Sequence, residues 1–276
     1  MKILVFGAKG YIGNEFVSLF GEDAIASAID IGDAEAVAAA LDEYQPDVVI
    51  NAAGKTGKPN IDWCEDHKEE TIYSNVTGPK VLLEECSKRN IYWVHMSSGC
   101  IYEGDNGGAG FTEEDAPNFT GSFYSTTKGE IDQYLRDYPV LILRIRMPFD
   151  GSGNPRTLIS KIKKYDRVLD VQNSITYIPE FLAAAKTLIE KRCTGIYNIV
   201  NPGSMSPYQI MERYKEIVDP SHTFEKLSLE QLSEVATAGR SNCILNCDKL
   251  AKEGITLQPI EMAVQSALEA MKENVN

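Results

Sequence analysis

Residues 2–13 read KILVFGAKGYIG, an apolar run that leads directly into glycines at positions 7, 10 and 13. The run predicts a strand, and the apolar spacing after it predicts a helix. Glycine lets the backbone approach a pyrophosphate closely, and the N–H groups at the start of the helix attract its negative charge. The stretch therefore predicts a dinucleotide site, with contacts from Gly7, Lys9, Gly10, Tyr11, Ile12 and Gly13.

Further strand patterns alternate with helical patterns, as a parallel sheet with crossover helices requires. Five strands are predicted at Lys2–Phe6, Asp47–Ala53, Ile91–Met96, Val140–Arg146 and, as a late return to the sheet, Gly195–Val200. Helices are predicted at Asp33–Tyr44, Lys68–Arg89 and Phe123–Arg136. We expect an α/β fold with a doubly wound parallel sheet of the Rossmann type.

The pattern changes after Met147, where residues 150–156 (DGSGNPR) predict a loop. Later helices are predicted near Ile159–Tyr165, Pro179–Lys191 and Tyr208–Ile217. Ser206 is a suitable N-cap for the last of them, with Pro207 at its first position. We expect a dinucleotide-binding domain formed by residues 1–147 and 174–202, and a smaller substrate-binding lobe formed by residues 148–173 and 203–276.

The composition excludes several classes of protein. Of 276 residues, 43% are hydrophobic and 24% are charged, as in ordinary globular enzymes, and no apolar run has the roughly 18 residues of a membrane span. A formal net charge of −13 argues against nucleic acid or an anionic membrane as a partner. Six scattered cysteines without a CxxC pair, beside three histidines, indicate neither a metal site nor a disulfide framework. The apolar run before Gly7 is too short for a secretory signal, so we expect a cytoplasmic protein.

A hydroxyl, a phenol and an ammonium group form the candidate catalytic set. Tyr124 and Lys128 are four apart on a predicted helix, which places them on one face. We expect the ammonium to lower the pKa of the phenol from about 10. If the chain is a ketone reductase, we expect Tyr124 to donate a proton to a carbonyl oxygen that Ser98 also binds, and Lys128 to hold the cofactor ribose.

A thiol accompanies this set. Residues 96–102 read MSSGCIY, and Ser98 and Cys100 are two apart on a predicted extended segment, so both side chains point the same way. A thiolate is a suitable base for a carbon acid beside a ketone. The residues alone leave open whether Cys100 acts as that base or is only packed.

Four motifs in this order resemble the extended short-chain dehydrogenase/reductase superfamily. They are the GxxGxxG turn, Asn51-Ala-Ala-Gly54, Asn75 and Tyr124-x-x-x-Lys128. The resemblance adds Ala52, Ala53, Gly54, Thr56 and Asn75 to the expected cofactor contacts.

The choice of cofactor depends on the segment AIASAIDIGD at residues 24–33. Asp30 and Ile31 resemble the segment that packs by the adenine in dTDP-4-dehydrorhamnose reductases, which leaves Ser27 where an arginine often lies. Lys9 is then the candidate for a 2′-phosphate. We expect NADPH, with NADH tolerated.

Longer strings are similar to the bifunctional nucleotide-rhamnose synthases, the epimerase/reductases of plants and some giant viruses. The strings are GKPNIDWCEDHKEETI (57–72), FTEEDAPNFTGSFYSTTK (111–128), LRIRMP (143–148), NPRTLISKI (154–162), TGIYNIVNPG (194–203) and GRSN (239–242). That family converts UDP-4-keto-6-deoxy-D-glucose to UDP-β-L-rhamnose, and some members accept the dTDP sugar. The resemblance implies that Cys100 and Lys161 carry the 3,5-epimerisation, although by its residues alone Lys161 belongs to a solvated basic stripe.

The remaining substrate contacts are expected from scattered polar residues. Arg240 and Asn154 are candidates for the diphosphate, because an acidic protein needs local fixed donors for two phosphates. By the resemblance, Asn60 lies near the junction of cofactor and substrate. With Ser98, Cys100 and Lys161 they form the expected contacts to a nucleotide sugar, and a homodimer stays open.

Two rival interpretations differ in testable ways. The first is a monofunctional reductase that depends on a separate epimerase; such reductases typically carry tyrosine at the position of Cys100. The second is a non-catalytic subunit of the same fold, like the methionine adenosyltransferase regulatory subunit. The intact set of Ser98, Tyr124 and Lys128 argues against it.

Overall fold

Six parallel strands form the central sheet of the protein. The computed structural model describes residues 1–274. Its strands are β1 Ile3–Phe6, β2 Ala24–Ser27, β3 Val48–Asn51, β4 Tyr92–Ser98, β5 Leu141–Ile145, β6 Arg167–Leu169, β7 Gly195–Asn198 and β8 Glu225–Leu227. The sheet order is β2-β1-β3-β4-β5-β7, and β6 pairs separately with β8. The connection changes direction between β1 and β3, the point at which open α/β sheets bind ligands.

Helices cover both faces of this sheet. They are α1 Tyr11–Phe20, α2 Ala34–Tyr44, α3 Trp63–Asp66, α4 Lys68–Ile72, α5 Gly78–Lys88, α6 Phe123–Leu135, α7 Leu158–Ile162, α8 Ile178–Glu190, α9 Pro207–Ile217, α10 Asp248–Lys252 and α11 Ile260–Glu273. Side chains of β1 alternate between two cores: Ile3 and Val5 pack with α1 and α8, whereas Leu4 and Phe6 pack with α2 and α5. No helix within residues 1–274 is both long and apolar enough to cross a lipid bilayer.

The predicted fold class is confirmed. Each of the five predicted strands is present, with ends within two residues of the prediction. The late helices are present as α8 and α9, and α9 begins with a capping box in which Ser206 and Gln209 each bind the other's backbone N–H. The helix predicted at Ile159–Tyr165 is shorter, because α7 ends at Ile162.

The single helix predicted over Lys68–Arg89 is wrong. A π-helical turn, Tyr73–Thr77, separates α4 from α5. Asn75 lies in this turn, and its amide binds the backbone of Lys55. Such π segments are frequent at functional sites.

The C-terminal part of the chain forms a further core. In it, α7, α9 and α11 pack around Phe149 and Ile175. Residues 243–252 instead return to the central sheet, since Cys243 and Leu245 pack with Tyr102 and Leu250 joins the core beneath α1. The division into two lobes at the predicted boundaries stays a prediction.

Candidate active site

The turn after β1 requires glycine. Gly7 has φ +75°, and a Cβ atom there would lie 2.4 Å from the Ala53 nitrogen. A Cβ atom on Gly13 would lie 2.2 Å from the Gly7 oxygen. Helix α1 follows with no side-chain cap on its first turn. The loop and the helix start therefore leave room and donors for a pyrophosphate.

A cleft of about 220 Å³ opens beside this turn. It is lined by Gly7, Lys9, Gly10, Ser27, Ala28, Ile29, Asp30, Ile31, Ala53 and Ser74. It thus brings together six of the expected cofactor contacts: Gly7, Lys9, Gly10, Asp30, Ile31 and Ala53. Ser27 and Ser74 also line it and were not among the expected contacts. The cleft and the glycine cradle suit the adenosine and pyrophosphate parts of a dinucleotide.

Other expected cofactor residues have structural contacts. The Asn75 side chain accepts from the Lys55 nitrogen at 2.7 Å and donates to the Lys55 oxygen and to Thr127 Oγ1. It therefore braces the loop after β3, which carries Ala52, Gly54 and Thr56. The buried Tyr11 hydroxyl donates to the Asp150 carboxylate, and burial, with that contact, raises the pKa of Tyr11.

Ser98, Cys100 and Tyr124 meet at the carboxyl end of β4. Ser98 is the last residue of the strand, and its hydroxyl oxygen accepts from the Cys100 nitrogen at 3.1 Å. Tyr124 lies in the first turn of α6, and its phenol lies close to Ser98 and Cys100. Cys100 lies in the turn beyond the strand. Cys100 therefore does not share a strand face with Ser98, as the sequence predicted. The turn after β4 brings its thiol to the site instead.

The expected effect of Lys128 on Tyr124 is also wrong for this structure. The Lys128 ammonium donates to the Met96 carbonyl oxygen at 2.8 Å. Burial lowers the pKa of Lys128 to about 8, and the same effect, with the neighbouring Cys100, raises the pKa of Tyr124. Burial dominates here because both groups lie inside the protein, so the phenol holds its proton.

Arg146 belongs to this group, and the sequence reasoning missed it. Its guanidinium NH1 donates to Cys100 Sγ at 3.2 Å and to Ser241 Oγ at 3.0 Å. NH2 donates to the Ser241 carbonyl oxygen at 2.5 Å and to the Asn173 side chain. Arg146 stands in the string LRIRMP, which carried family resemblance but no assigned role.

Lys161 lies on α7, in the last turn of that short helix. Within residues 1–274 its ammonium makes no hydrogen bond or ion pair, and none joins it to Cys100. Lys161 is exposed to solvent, although desolvation and the Arg156 guanidinium lower the pKa of its ammonium somewhat.

The expected diphosphate ligands are held by contacts within the chain. Arg240 NH1 binds Asp62 Oδ1 at 2.8 Å, and the same oxygen accepts from the Ala238 nitrogen. Asn60 accepts from the Asp62 backbone nitrogen, so Asn60 and Arg240 both contact Asp62, but at its backbone and its carboxylate respectively. Asn154 lies elsewhere, in the loop before α7, and accepts from the Arg156 nitrogen.

Glu65 is a second residue that the sequence reasoning missed. Its carboxylate accepts from the Phe123 nitrogen at 2.7 Å, and Ser122 caps the same helix through Ser125. Negative charge at a helix N-terminus is stabilising. Glu65, from the string DWCE, thereby fixes the turn of α6 that carries Tyr124.

Two proteins of Arabidopsis thaliana are similar to this chain. It is 40% identical over 270 residues to a bifunctional dTDP-4-dehydrorhamnose 3,5-epimerase/dTDP-4-dehydrorhamnose reductase, covering 94% of this chain and 90% of that protein. It is 38% identical to a trifunctional UDP-glucose 4,6-dehydratase/UDP-4-keto-6-deoxy-D-glucose 3,5-epimerase/UDP-4-keto-L-rhamnose-reductase, covering 92% of this chain and 39% of that protein. The chain thus spans about two fifths of the trifunctional protein.

The fold also matches a solved structure. The crystal structure of a UDP-rhamnose synthase from Acanthamoeba polyphaga mimivirus superposes with a TM-score of 0.94 at 34% identity, covering 98% of this chain and 99% of that one. These similarities confirm the resemblance to nucleotide-rhamnose synthases. The family model "RmlD substrate binding domain" matches residues 1–273. The chain therefore belongs to the RmlD substrate binding domain family.

Proposed function

We propose that this chain is a bifunctional 3,5-epimerase and 4-keto-reductase, which converts UDP-4-keto-6-deoxy-D-glucose to UDP-β-L-rhamnose with NADPH. The observation that carries the proposal is the meeting of Ser98, Cys100 and Tyr124 at the end of β4. Ketone reduction uses the serine and the tyrosine. The Cys100 thiol beside the serine and the tyrosine has no role in ketone reduction. It can act as the base that removes a proton from carbon.

NADPH fits the residues around the glycine turn. The absence of a side chain at Gly7 lets the turn pack against the backbone of Ala52 and Ala53, and Lys9 is exposed at the rim of the adjoining cleft. Its ammonium has no partner among residues 1–274, so it is free to bind a 2′-phosphate. The cofactor supplies the hydride when bound.

Epimerisation uses the acidity of carbons 3 and 5, which both flank the ketone at carbon 4. The Cys100 thiolate takes a proton from one of these carbons, and the electron pair of the broken C–H bond passes into an enolate. The Lys161 ammonium returns a proton to the opposite face of the ring. The resulting thiol and amine regain their starting forms by proton exchange with water.

Reduction uses the phenol. As hydride reaches carbon 4, Tyr124 passes its proton to the ketone oxygen, which Ser98 also binds. The raised pKa of Tyr124 keeps the phenol protonated before hydride arrives, but it also makes the phenol a weaker acid than one with a pKa near the working pH. Positioned acid catalysis of this kind contributes about 100- to 10,000-fold.

Solvent deuterium exchange tests the epimerase half. Purified protein is incubated in D₂O with the UDP or the dTDP 4-keto-6-deoxy-glucose and without NADPH, and mass spectrometry follows carbons 3 and 5. We expect exchange at both carbons, faster with the UDP sugar. Absence of exchange with either sugar would leave the monofunctional reductase or the non-catalytic subunit.

Replacement of the thiol separates the two activities. In Cys100→Ala we expect deuterium exchange to fall about 100-fold or more, because the carbon base is gone. Reduction of a ketone that is already epimerised keeps most of its rate. Cys193→Ala, which removes another half-buried free thiol, serves as the matched control. Loss of both activities in Cys100→Ala would make the cysteine structural.

A further inference from the structure

Two buried arginines at the end of β5 differ in what balances their charge. Arg144 and Arg146 are 0% and 1% exposed. Arg144 binds the buried carboxylate of Asp132 through Nε at 2.9 Å and NH2 at 2.5 Å. Arg146 makes no ion pair with any carboxylate of residues 1–274.

The acceptors around Arg146 are neutral, with one exception. Ser241 and Asn173 offer a hydroxyl and two carbonyl oxygens, and Nε has no partner in the part of the chain that the structure describes. The remaining acceptor is Cys100 Sγ, the only one of these groups that can carry a full negative charge. Burial of an unpaired charge is costly, so the guanidinium favours an anion at this sulfur.

The guanidinium is held in one orientation. Ser241 Oγ donates onward to the Tyr102 carbonyl oxygen at 2.6 Å, and Asn173 Nδ2 donates to Val171 and Asn242. The donor that faces Cys100 is therefore fixed by chain segments far apart in sequence. Arginine suits this role because its donors lie in one rigid plane.

The other ionisable groups beside Cys100 do not compete for this charge. The Tyr124 phenol faces it from α6, and the Cys243 thiol faces it from the segment before α10. Burial raises the pKa of both, so they are neutral at pH 7. Arg146 is then the charged group in contact with the sulfur among the described residues.

We propose that Arg146 is the built-in counter-ion of a Cys100 thiolate, a positioning residue that keeps the base of the epimerisation ionised and aimed. Its use in epimerisation rests on the proposed function, whereas the ion pair itself does not. A neighbouring arginine is an established means of favouring the thiolate over the thiol.

Alkylation tests the ion pair without any substrate. Iodoacetamide reacts with the thiolate, so the rate at Cys100 is measured by peptide mass spectrometry from about pH 5 to pH 10, with Cys193 in the same digest as the internal control. We expect the rate at Cys100 to reach half its maximum at least about one pH unit below that at Cys193. A midpoint at or above that of Cys193 would overturn the proposal.

Two variants then separate charge from packing. In Arg146→Met we expect the Cys100 midpoint to rise by about one pH unit or more, and Arg146→Lys, which keeps the charge, to stay within about half a unit of the wild type. Equal midpoints for the methionine variant and the wild type, or a lysine variant as displaced as the methionine variant, would contradict the proposal. If Arg146→Met does not fold, the alkylation profiles of the wild type and of Arg146→Lys still test the proposed ion pair.

The same variants connect the pair to chemistry. In Arg146→Met we expect deuterium exchange at pH 7 to fall at least about tenfold more than reduction of the epimerised ketone. We also expect exchange in this variant to recover at higher pH, where the thiol ionises without a neighbouring guanidinium. If wild-type protein exchanges neither sugar, the proposed function fails while the alkylation profiles still judge the ion pair. If exchange falls in Arg146→Met but the alkylation profile does not move, Arg146 is only structural.

Discussion

Lys128 buries its ammonium group against the Met96 carbonyl oxygen, with 6% of the residue exposed. Burial lowers its pKa to about 8, and the charge of Asp132 only partly opposes this. A charge held in this way destabilises the folded protein whenever it is present. Tolerance of this cost suggests that the ammonium is kept for binding.

Replacement of this lysine should therefore stabilise the protein at neutral pH. The unfolded chain has a lysine pKa near 10.5, so below pH 8 both states hold the proton and the cost is complete. Between pH 8 and pH 10.5 the unfolded state holds more protons, and the wild type gains stability as pH rises. We expect Lys128→Met to exceed the wild type by at most about 3 kcal/mol at pH 7, a gap that narrows by pH 10.

Urea unfolding at the two pH values measures this gap. Lys164→Met, at an exposed position, is the control and should change little at either pH. A gap between Lys128→Met and the wild type that stays constant or widens as pH rises would contradict the burial of a charged lysine.

Single residues also mark how far the sequence could predict the site. Ser98, Cys100 and Tyr124 were found because their motifs are short and ordered along the chain. Arg146 and Glu65 were missed because their contacts, Cys100 and the start of α6, lie 46 and 58 residues away and only folding brings them together. The shift in the pKa of Tyr124 was predicted in the wrong direction. The four-residue spacing of Tyr124 and Lys128 predicts a shared helix face but does not show that both groups are buried.

At the level of elements, α6 depends on two caps at its N-terminus. Ser122 belongs to the local sequence, whereas Glu65 comes from the short helix α3. This contact fixes the first turn, and with it Tyr124, relative to Ser98. The position of Tyr124, the proposed acid, is thus set by a neighbouring helix.

Removal of that distant cap should affect stability and catalysis together. In Glu65→Ala we expect the free energy of unfolding to fall by about 1–2 kcal/mol and the rate of ketone reduction to fall several-fold. Asp66→Ala, at the exposed neighbouring position, should stay within about 0.5 kcal/mol of the wild type. Chemical denaturation and steady-state kinetics measure both. Equal effects of the two substitutions would contradict a stabilising role of Glu65 as a cap of α6.

The sequence reasoning missed the longest helix, α11, as well as the three-residue strands β6 and β8. Strands β4 and β5 have apolar runs that fix them, whereas β6 and β8 have three residues each and form only because they pair with each other. The π turn was missed because α4 and α5 continue the same helical pattern across it. Contacts between segments distant in sequence determine these elements, and the local sequence pattern alone does not predict them.

At the scale of the whole molecule, an ion pair joins distant parts of the chain across the site. Burial raises the pKa of Asp62, but hydrogen bonds from Arg240 and Ala238 outweigh it and keep that pKa below its usual value. The pair therefore persists throughout the neutral range. It fixes Arg240 at Asp62 in a protein whose net charge of −13 otherwise repels anions.

Loss of this arginine should weaken substrate binding more than chemistry. In Arg240→Met we expect the KM for the nucleotide sugar to rise about tenfold, because the cation that we expect to bind the diphosphate is gone, and kcat to change less than about threefold. Arg213→Met is the control for loss of one positive charge. A fall in kcat at unchanged KM would mean that Arg240 maintains the shape of the site instead of binding the substrate.

The thiol and the phenol lie close together at the end of β4, and in the proposed reaction this arrangement bears on the order of events. Only the ketone makes carbons 3 and 5 acidic, so its conversion to an alcohol ends all further inversion. Hydride delivery would then be the step after which no inversion is possible. The product would keep the stereochemistry that the bound ketone has at that moment. The stereochemical purity of the product would depend on how fast inversion runs relative to hydride delivery, and a slower thiol would yield a mixture of sugars without any loss of reducing power.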